Sequence, residues 1–182
     1  MEPTLLEGEP TPDDSMTVAE ARERLLRDGR EGTRCPCCCR YVKLYKSPFR
    51  WSAAIIAIRL ARLVRKGGGL LNRVFHLPSV VQEIRLGPKK ERAMAVLQCG
   101  CRWSPLIQWG LIERVFGKRP DGDWRTGHFR LTRMGYRFAL GGVRIPKYVY
   151  NYDGRVLGFD GPAITVRKAL GLKFDYNELM SG

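Results

Sequence analysis

Between Phe49 and Lys66 the chain carries one long, mostly apolar stretch whose polar residues Ser52, Arg59, Arg62 and Lys66 fall on a single narrow stripe at helical spacing. A helix with so wide an apolar surface must be covered on most sides by other elements, so the remaining chain is expected to fold around it. Ser47-Pro48 reads as its opening, an N-cap followed by proline at the first helical position. Gly67-Gly68-Gly69 reads as its end. The apolar run from Trp51 to Val64 is interrupted by Arg59 and Arg62 and is too short to span a bilayer. Lying on a membrane surface would suit a narrower apolar face than this one. With 182 residues and 44% hydrophobic content, the chain can make one domain with additions or two small ones. A core of that size requires neither disulfides nor a metal.

The neighbouring segments divide by their punctuation. The first fourteen residues are acidic and contain three prolines, as a mobile tail would. Thr17 with Glu20 predicts a capping box opening a helix from Val18 to Arg27 that stops near Gly29. Tyr41 to Lys46 alternates like a strand. Leu77-Pro78-Ser79 opens a further helix that ends before Gly87-Pro88. Another begins near Lys89, breaks around Cys99-Gly100-Cys101, and restarts at Ser104-Pro105 through Trp109.

Charge separates the chain into two unequal parts. The formal net charge is +14, from 32 Lys and Arg against 18 Asp and Glu. Residues 1–32 hold nine of the acids and four arginines, a net of −5, which leaves 28 cations against nine acids, or +19, on residues 33–182. A body that basic attracts polyphosphates. The same surplus also serves plain solubility.

From Trp109 onward the order of elements becomes specific. Trp109-Gly110-Leu111-Ile112-Glu113 reads as a helix end, a C-cap glycine and a strand entry. Gly117 to Asp123 is turn chemistry throughout, Phe129 to Thr132 returns as a strand, and Thr132 caps a helix from Arg133 to Leu140 that ends at Gly141-Gly142. This succession, with its "WGLIE" and "FRLTRMGYRF" phrases, resembles the winged helix-turn-helix of the multiple-antibiotic-resistance regulator family. It also resembles uncharacterised bacteriophage proteins in which a Cys-Pro-x-Cys element precedes such a domain. The resemblance covers residues 47–142. It departs at Pro105, which interrupts the recognition helix, and in lacking the long C-terminal dimerisation helix, so dimeric operator binding does not carry over.

The resemblance implies that the third helix enters the major groove and the wing follows the backbone. Lys89, Lys90, Arg92 and Arg102 would then face DNA from the helix side, and Lys118, Arg119 and Arg125 from the wing. Arg130, Arg133 and Arg137 would add phosphate contacts. Any one of these can equally be a solvated surface charge.

Six cysteines are present, four of them between positions 35 and 39. Cys35-Pro36-Cys37-Cys38 before a strand is spaced like one knuckle of a zinc ribbon. Cys99 and Cys101 are the best second pair for one structural Zn2+, with His76 and His128 as weaker substitutes. Small buried side chains and free thiols are the competing account. A thioredoxin-type role is disfavoured, since no βαβ unit surrounds the motif. Near the C-terminus, Lys147 to Tyr152 and Arg155 to Phe159 flank Asp153-Gly154, a two-residue hairpin signal. Tyr148, Tyr150 and Tyr152 would share a face, packed on a helix or open to stack bases. Thr165 caps a short helix to Leu170, and Lys173 to Met180 closes the chain with a turn or helix.

The expected architecture is α+β. It comprises an acidic tail and short helix over residues 1–32, a cysteine knuckle and strand over 33–46, a winged-helix domain over 47–142, and a C-terminal hairpin and helix over 143–182. No catalytic constellation stands out, and no small-molecule substrate is evident. Gly67 to Gly69 follow a helix instead of opening one, the wrong side for cradling phosphates. The expected function is duplex DNA binding by a regulatory or accessory factor, phage-encoded if the resemblance holds, acting in the cytoplasm of a bacterium or infected host. The alternative is a protein-interaction module that meets an acidic partner through the same basic face. No apolar leader precedes the acidic N-terminal segment, and a membrane role is not expected.

Overall fold

The computed structural model describes residues 11–86, 103–117, 127–152 and 155–181. They form an α+β protein of seven α-helices and three small antiparallel sheets among the described residues. The helix expected near Lys89, its break at Cys99 to Cys101, most of the turn after Gly117 and the Asp153-Gly154 turn lie outside them. The chain divides into two compact units, Met1–Ser47 with Tyr150–Gly158, and Pro48–Val149 with Phe159–Gly182.

In the first unit, α1 (Val18–Asp28) begins at the expected capping box. Thr17 accepts from the Glu20 amide, and the Glu20 side chain accepts from the Thr17 amide. The helix ends at Gly29, where a side chain would collide with the Leu25 carbonyl oxygen and crowd Leu44. The strand expected from Tyr41 to Lys46 is instead two pieces, β2 (Tyr41–Val42) and β3 (Tyr45–Pro48), with β1 (Thr33–Arg34) pairing antiparallel to β2. The interruption falls where Leu44 donates its amide to the Gly29 carbonyl at 2.8 Å, tying the chain to the end of α1 instead of to a neighbouring strand.

The second unit is built on α2 (Trp51–Lys66), with nine buried residues from Ala53 to Val64. Its start differs from the expected one. Ser47-Pro48 ends β3, the edge strand of a sheet ordered β3-β7-β8, with β7 spanning Ile145–Tyr152 and β8 Arg155–Ile164. Proline is tolerated on an edge strand because its missing N–H costs no ladder bond. Phe49 then donates to the Lys147 carbonyl at 2.8 Å, and α2 opens after Arg50 with no side-chain cap. Asn151 engages the Ser47 hydroxyl at 3.4 Å, so that hydroxyl is held by the strand pair.

Two residues of the polar stripe of α2 are engaged as well, while Lys66 at its end is exposed. Arg59 pairs with Glu83 at 3.0 Å on α3 (Leu77–Leu86), and Arg62 donates to the Leu179 carbonyl at 3.0 Å on α7 (Tyr176–Ser181). Burial and the neighbouring Arg59 charge push the Arg62 pKa down. Ahead of α3 lies β4 (Val74–His76), and α4 (Ser104–Gln108) leads through Gly110, at φ +65°, into β5 (Ile112–Arg114). Then follow β6 (His128–Leu131) and α5 (Arg133–Ala139). These strands make a sheet ordered β4-β6-β5, with Phe75 opposite Phe129 and Ile112 opposite Leu131.

The C-terminal elements join the same core. Ile145, Val149 and Ile164 from the hairpin pack into one cluster with α2, as do Val166 and Leu170 from α6 (Val166–Leu170). Thr165 caps α6 as expected, accepting from Lys168. A 3-10 turn, Gly171–Lys173, leads to α7, where the Asp175 carboxylate accepts from the Glu178 amide at 2.7 Å. No helix among the described residues is long and apolar enough to cross a membrane.

Candidate nucleic-acid interface and cysteine hairpin

Two side chains and one glycine fix α5 against the sheet, and all come from the Leu-Thr-x-x-Gly phrase. Leu131 ends β6 fully inside the core. Thr132 accepts from the Gly135 amide at 3.0 Å and gives its own proton to the Gly110 carbonyl at 2.8 Å. One hydroxyl thereby caps α5 and ties it to the turn that ends α4. Gly135 faces the Leu111 carbonyl with no room for a Cβ. With α5 seated that closely, Arg133 and Arg137 lie one turn apart on its exposed side.

Arg130 is different. It stands directly across from Glu113 in the β6–β5 register, and its Nε donates to the Glu113 carboxylate at 2.6 Å. That hydrogen bond, and then the carboxylate charge, raise the Arg130 pKa and occupy the guanidinium. Next along β5 is Arg114, exposed, with its guanidinium 5.7 Å from the Phe129 ring centre and 6.0 Å from that of Phe116. Phe116 is 80% exposed, so an aromatic face and a cation stand together where the chain leaves the sheet. Neither residue was expected from sequence. The signal was there in the Glu-Arg-Val-Phe order, in which Arg114 and Phe116 are two apart at the end of a strand.

Of the ten basic residues expected at the interface, only Arg130, Arg133 and Arg137 are described. Lys89, Lys90, Arg92, Arg102, Lys118, Arg119 and Arg125 lie outside the described residues.

The cysteine hairpin belongs to the first unit. Cys35 to Cys39 bridge β1 and β2, and all are at least partly exposed. Burial raises the Cys35 pKa, but amide donation from Cys37 and Cys38 and thiol donation from both side chains outweigh it, and the net shift is downward. Cys37 moves up, through burial and then the Cys35 charge. Cys99 and Cys101 lie outside the described residues. His76 and His128 face each other across β4 and β6 with ring centres 5.0 Å apart, and His76 Nδ1 lies 2.7 Å from the Ser79 hydroxyl. Among the described residues, no group of three or more His, Cys, Asp or Glu is assembled to hold a metal ion.

No protein-family model, curated protein or solved structure matches the chain. Its reading therefore rests on its own residues.

Proposed function

We propose that residues 47–142 are a winged helix-turn-helix module that binds duplex DNA, mainly through phosphate contacts, as part of a regulatory or accessory factor. The observation that carries the proposal is the strand order β4-β6-β5 combined with the chain order α2-β4-α3-α4-β5-β6. In a winged helix the strand after the wing returns between the first strand and the strand before the wing, the place β6 occupies here. The connection between β5 and β6, residues 115–127, is rich in glycine and cations, as suits a loop lying along a phosphate backbone.

Arg114, Arg133 and Arg137 supply exposed cations on elements held by the core. The charge of +19 on residues 33–182 supplies the long-range attraction.

Mobility shifts on random duplex DNA at two salt concentrations test the proposal. With six to ten phosphate contacts, affinity should fall by about 10³–10⁵ between 50 and 200 mM salt. Replacing Arg114, Arg133 and Arg137 together with alanine should weaken binding alike on all sequences and flatten the logarithmic salt slope by about one per lost contact. Absence of binding at low salt, or a slope that the triple variant leaves unchanged, refutes the assignment. Absence of binding would turn attention to an acidic protein partner.

A further inference from the structure

The cysteine hairpin is independent of the DNA reading. Its two strands contribute two residues each, and of those four only Val42 is buried. A hairpin that short is at best marginal in water. Its loop is nevertheless closed by two backbone bonds, Cys35 amide to Arg40 carbonyl and Cys39 amide to Cys35 carbonyl, each 2.8 Å. Cys39 is also the only non-glycine residue described with positive φ, at +57°. That left-handed turn is strained for a residue that carries a side chain, and such strain persists only where the surroundings impose it.

The turn also sets two of the cysteines together. Because the Cys39 amide returns to the Cys35 carbonyl, Cys35 and Cys38 stand three residues apart within one closed turn, Cys35 half-buried and Cys38 exposed.

We propose that Cys35 and Cys38 are two ligands of a tetrahedral zinc–thiolate site, with the other two positions filled from outside the hairpin. Two thiolates three residues apart across a tight turn span one edge of a tetrahedron. A dithiol redox centre fits less well. Such centres commonly draw thiolate stability from a helix N-terminus, whereas here the chain continues into β2. Zinc also accounts for the hairpin's existence, since ligation contributes folding free energy that its small buried surface cannot supply. Cys37 and Cys39 are spare thiols in this arrangement, and Cys39 only marks the turn.

The test uses the full chain, reduced and metal-free, titrated with Co2+ as a spectroscopic stand-in for zinc. Wild-type protein should take up about one Co2+ per chain, with a thiolate-to-cobalt charge-transfer band and the visible bands of a tetrahedral site, and zinc should bleach both. Cys35→Ser and Cys38→Ser should each weaken uptake by at least about 100-fold. Cys37→Ser and Cys39→Gly should leave it intact. Cys35→His, which replaces one ligand by another, should restore uptake with a weaker charge-transfer band, a rescue that a merely unfolded hairpin would not give. No cobalt band in the wild type refutes the proposal. So does equal loss in Cys35→Ser, Cys38→Ser, Cys37→Ser and Cys39→Gly, or a Cys35–Cys38 disulfide that forms in place of metal uptake.

Discussion

Replacing Gly135 by alanine sets two effects of opposite sign against each other. Gly135 is inside α5, and on helix propensity alone alanine should stabilise the protein by about 1 kcal/mol. The structure predicts the reverse. A Cβ built there would overlap the Leu111 carbonyl oxygen and lie 2.8 Å from the Leu111 carbonyl carbon and 2.9 Å from Leu131 Cδ1. The first two atoms are backbone. They are held by the Thr132 amide, which donates to Leu111 at 3.0 Å, so they cannot swing away as a side chain could. Overpacking of this kind costs about 1–3 kcal/mol, and contact with fixed backbone belongs at the upper end. Subtracting the propensity gain leaves a net loss of about 2 kcal/mol, or roughly 4–8 °C in thermal midpoint for a chain of this size. Gly158→Ala is the control, because nothing lies within 4 Å of its Cβ position and its φ is not positive. Differential scanning calorimetry of both variants decides the matter. A Gly135→Ala midpoint equal to or above wild type would show that α5 does not pack on the β5 entry as described.

Thr17→Ala should lower the stability of α1 by about 1 kcal/mol, read as faster amide exchange over Val18 to Asp28 in the full chain. Unchanged exchange would remove the capping box from the account. Glu20 titrates below the ordinary glutamate range because the Thr17 hydroxyl and then the Thr17 amide donate to it. A depressed folded pKa means that its contribution is complete above the unfolded value and is lost as pH falls through the folded one. The exchange protection of α1 should therefore decline on that acid limb, and Thr17→Ala should erase the step. Glu113→Gln should release Arg130, tighten duplex DNA binding several-fold at low salt and steepen the salt slope by about one. The thermal midpoint should change little, because both partners of the pair are half exposed. Unaltered DNA affinity in this variant would place Arg130 away from the interface.

Legibility from sequence followed the range of the interaction. The capping box at Thr17 and Glu20, the cap at Thr132 and the glycine ends at Gly67 and Gly110 depend on residues a few positions apart, and each lies where its pattern predicted. Ser47-Pro48 had the local chemistry of a helix start and became the end of a strand, because its partner on β7 is about a hundred residues away. β4 is three residues long and carries no turn signal, so no period could reveal it, although it completes the sheet. The same limit applied at the site. The spacing of Cys35 and Cys38 was visible, but the left-handed turn at Cys39 that closes the loop onto the Cys35 carbonyl was not. Arg130 read as a free cation until the β5–β6 register set Glu113 opposite it.

That register bears on how a basic surface becomes a binding surface. Net positive charge attracts polyphosphates in general, yet a contact gains little if ordering a long side chain consumes what the phosphate returns. Arg114 is restrained beside the rings of Phe129 and Phe116, and Arg133 and Arg137 project from a helix that Thr132 and Gly135 fasten to the sheet. Their positions are thus set before any ligand arrives. Glu113 acts in the opposite sense, since a phosphate reaching Arg130 must first displace a carboxylate already bound at 2.6 Å. If duplex DNA is the ligand, the exchange at Arg130 is close to neutral in charge, and affinity should depend mainly on the cations that no carboxylate holds. Gly135→Ala then acquires a second consequence. By forcing α5 away from Leu111 it moves Arg133 and Arg137 relative to Arg114, so binding should weaken even at temperatures where the variant is fully folded.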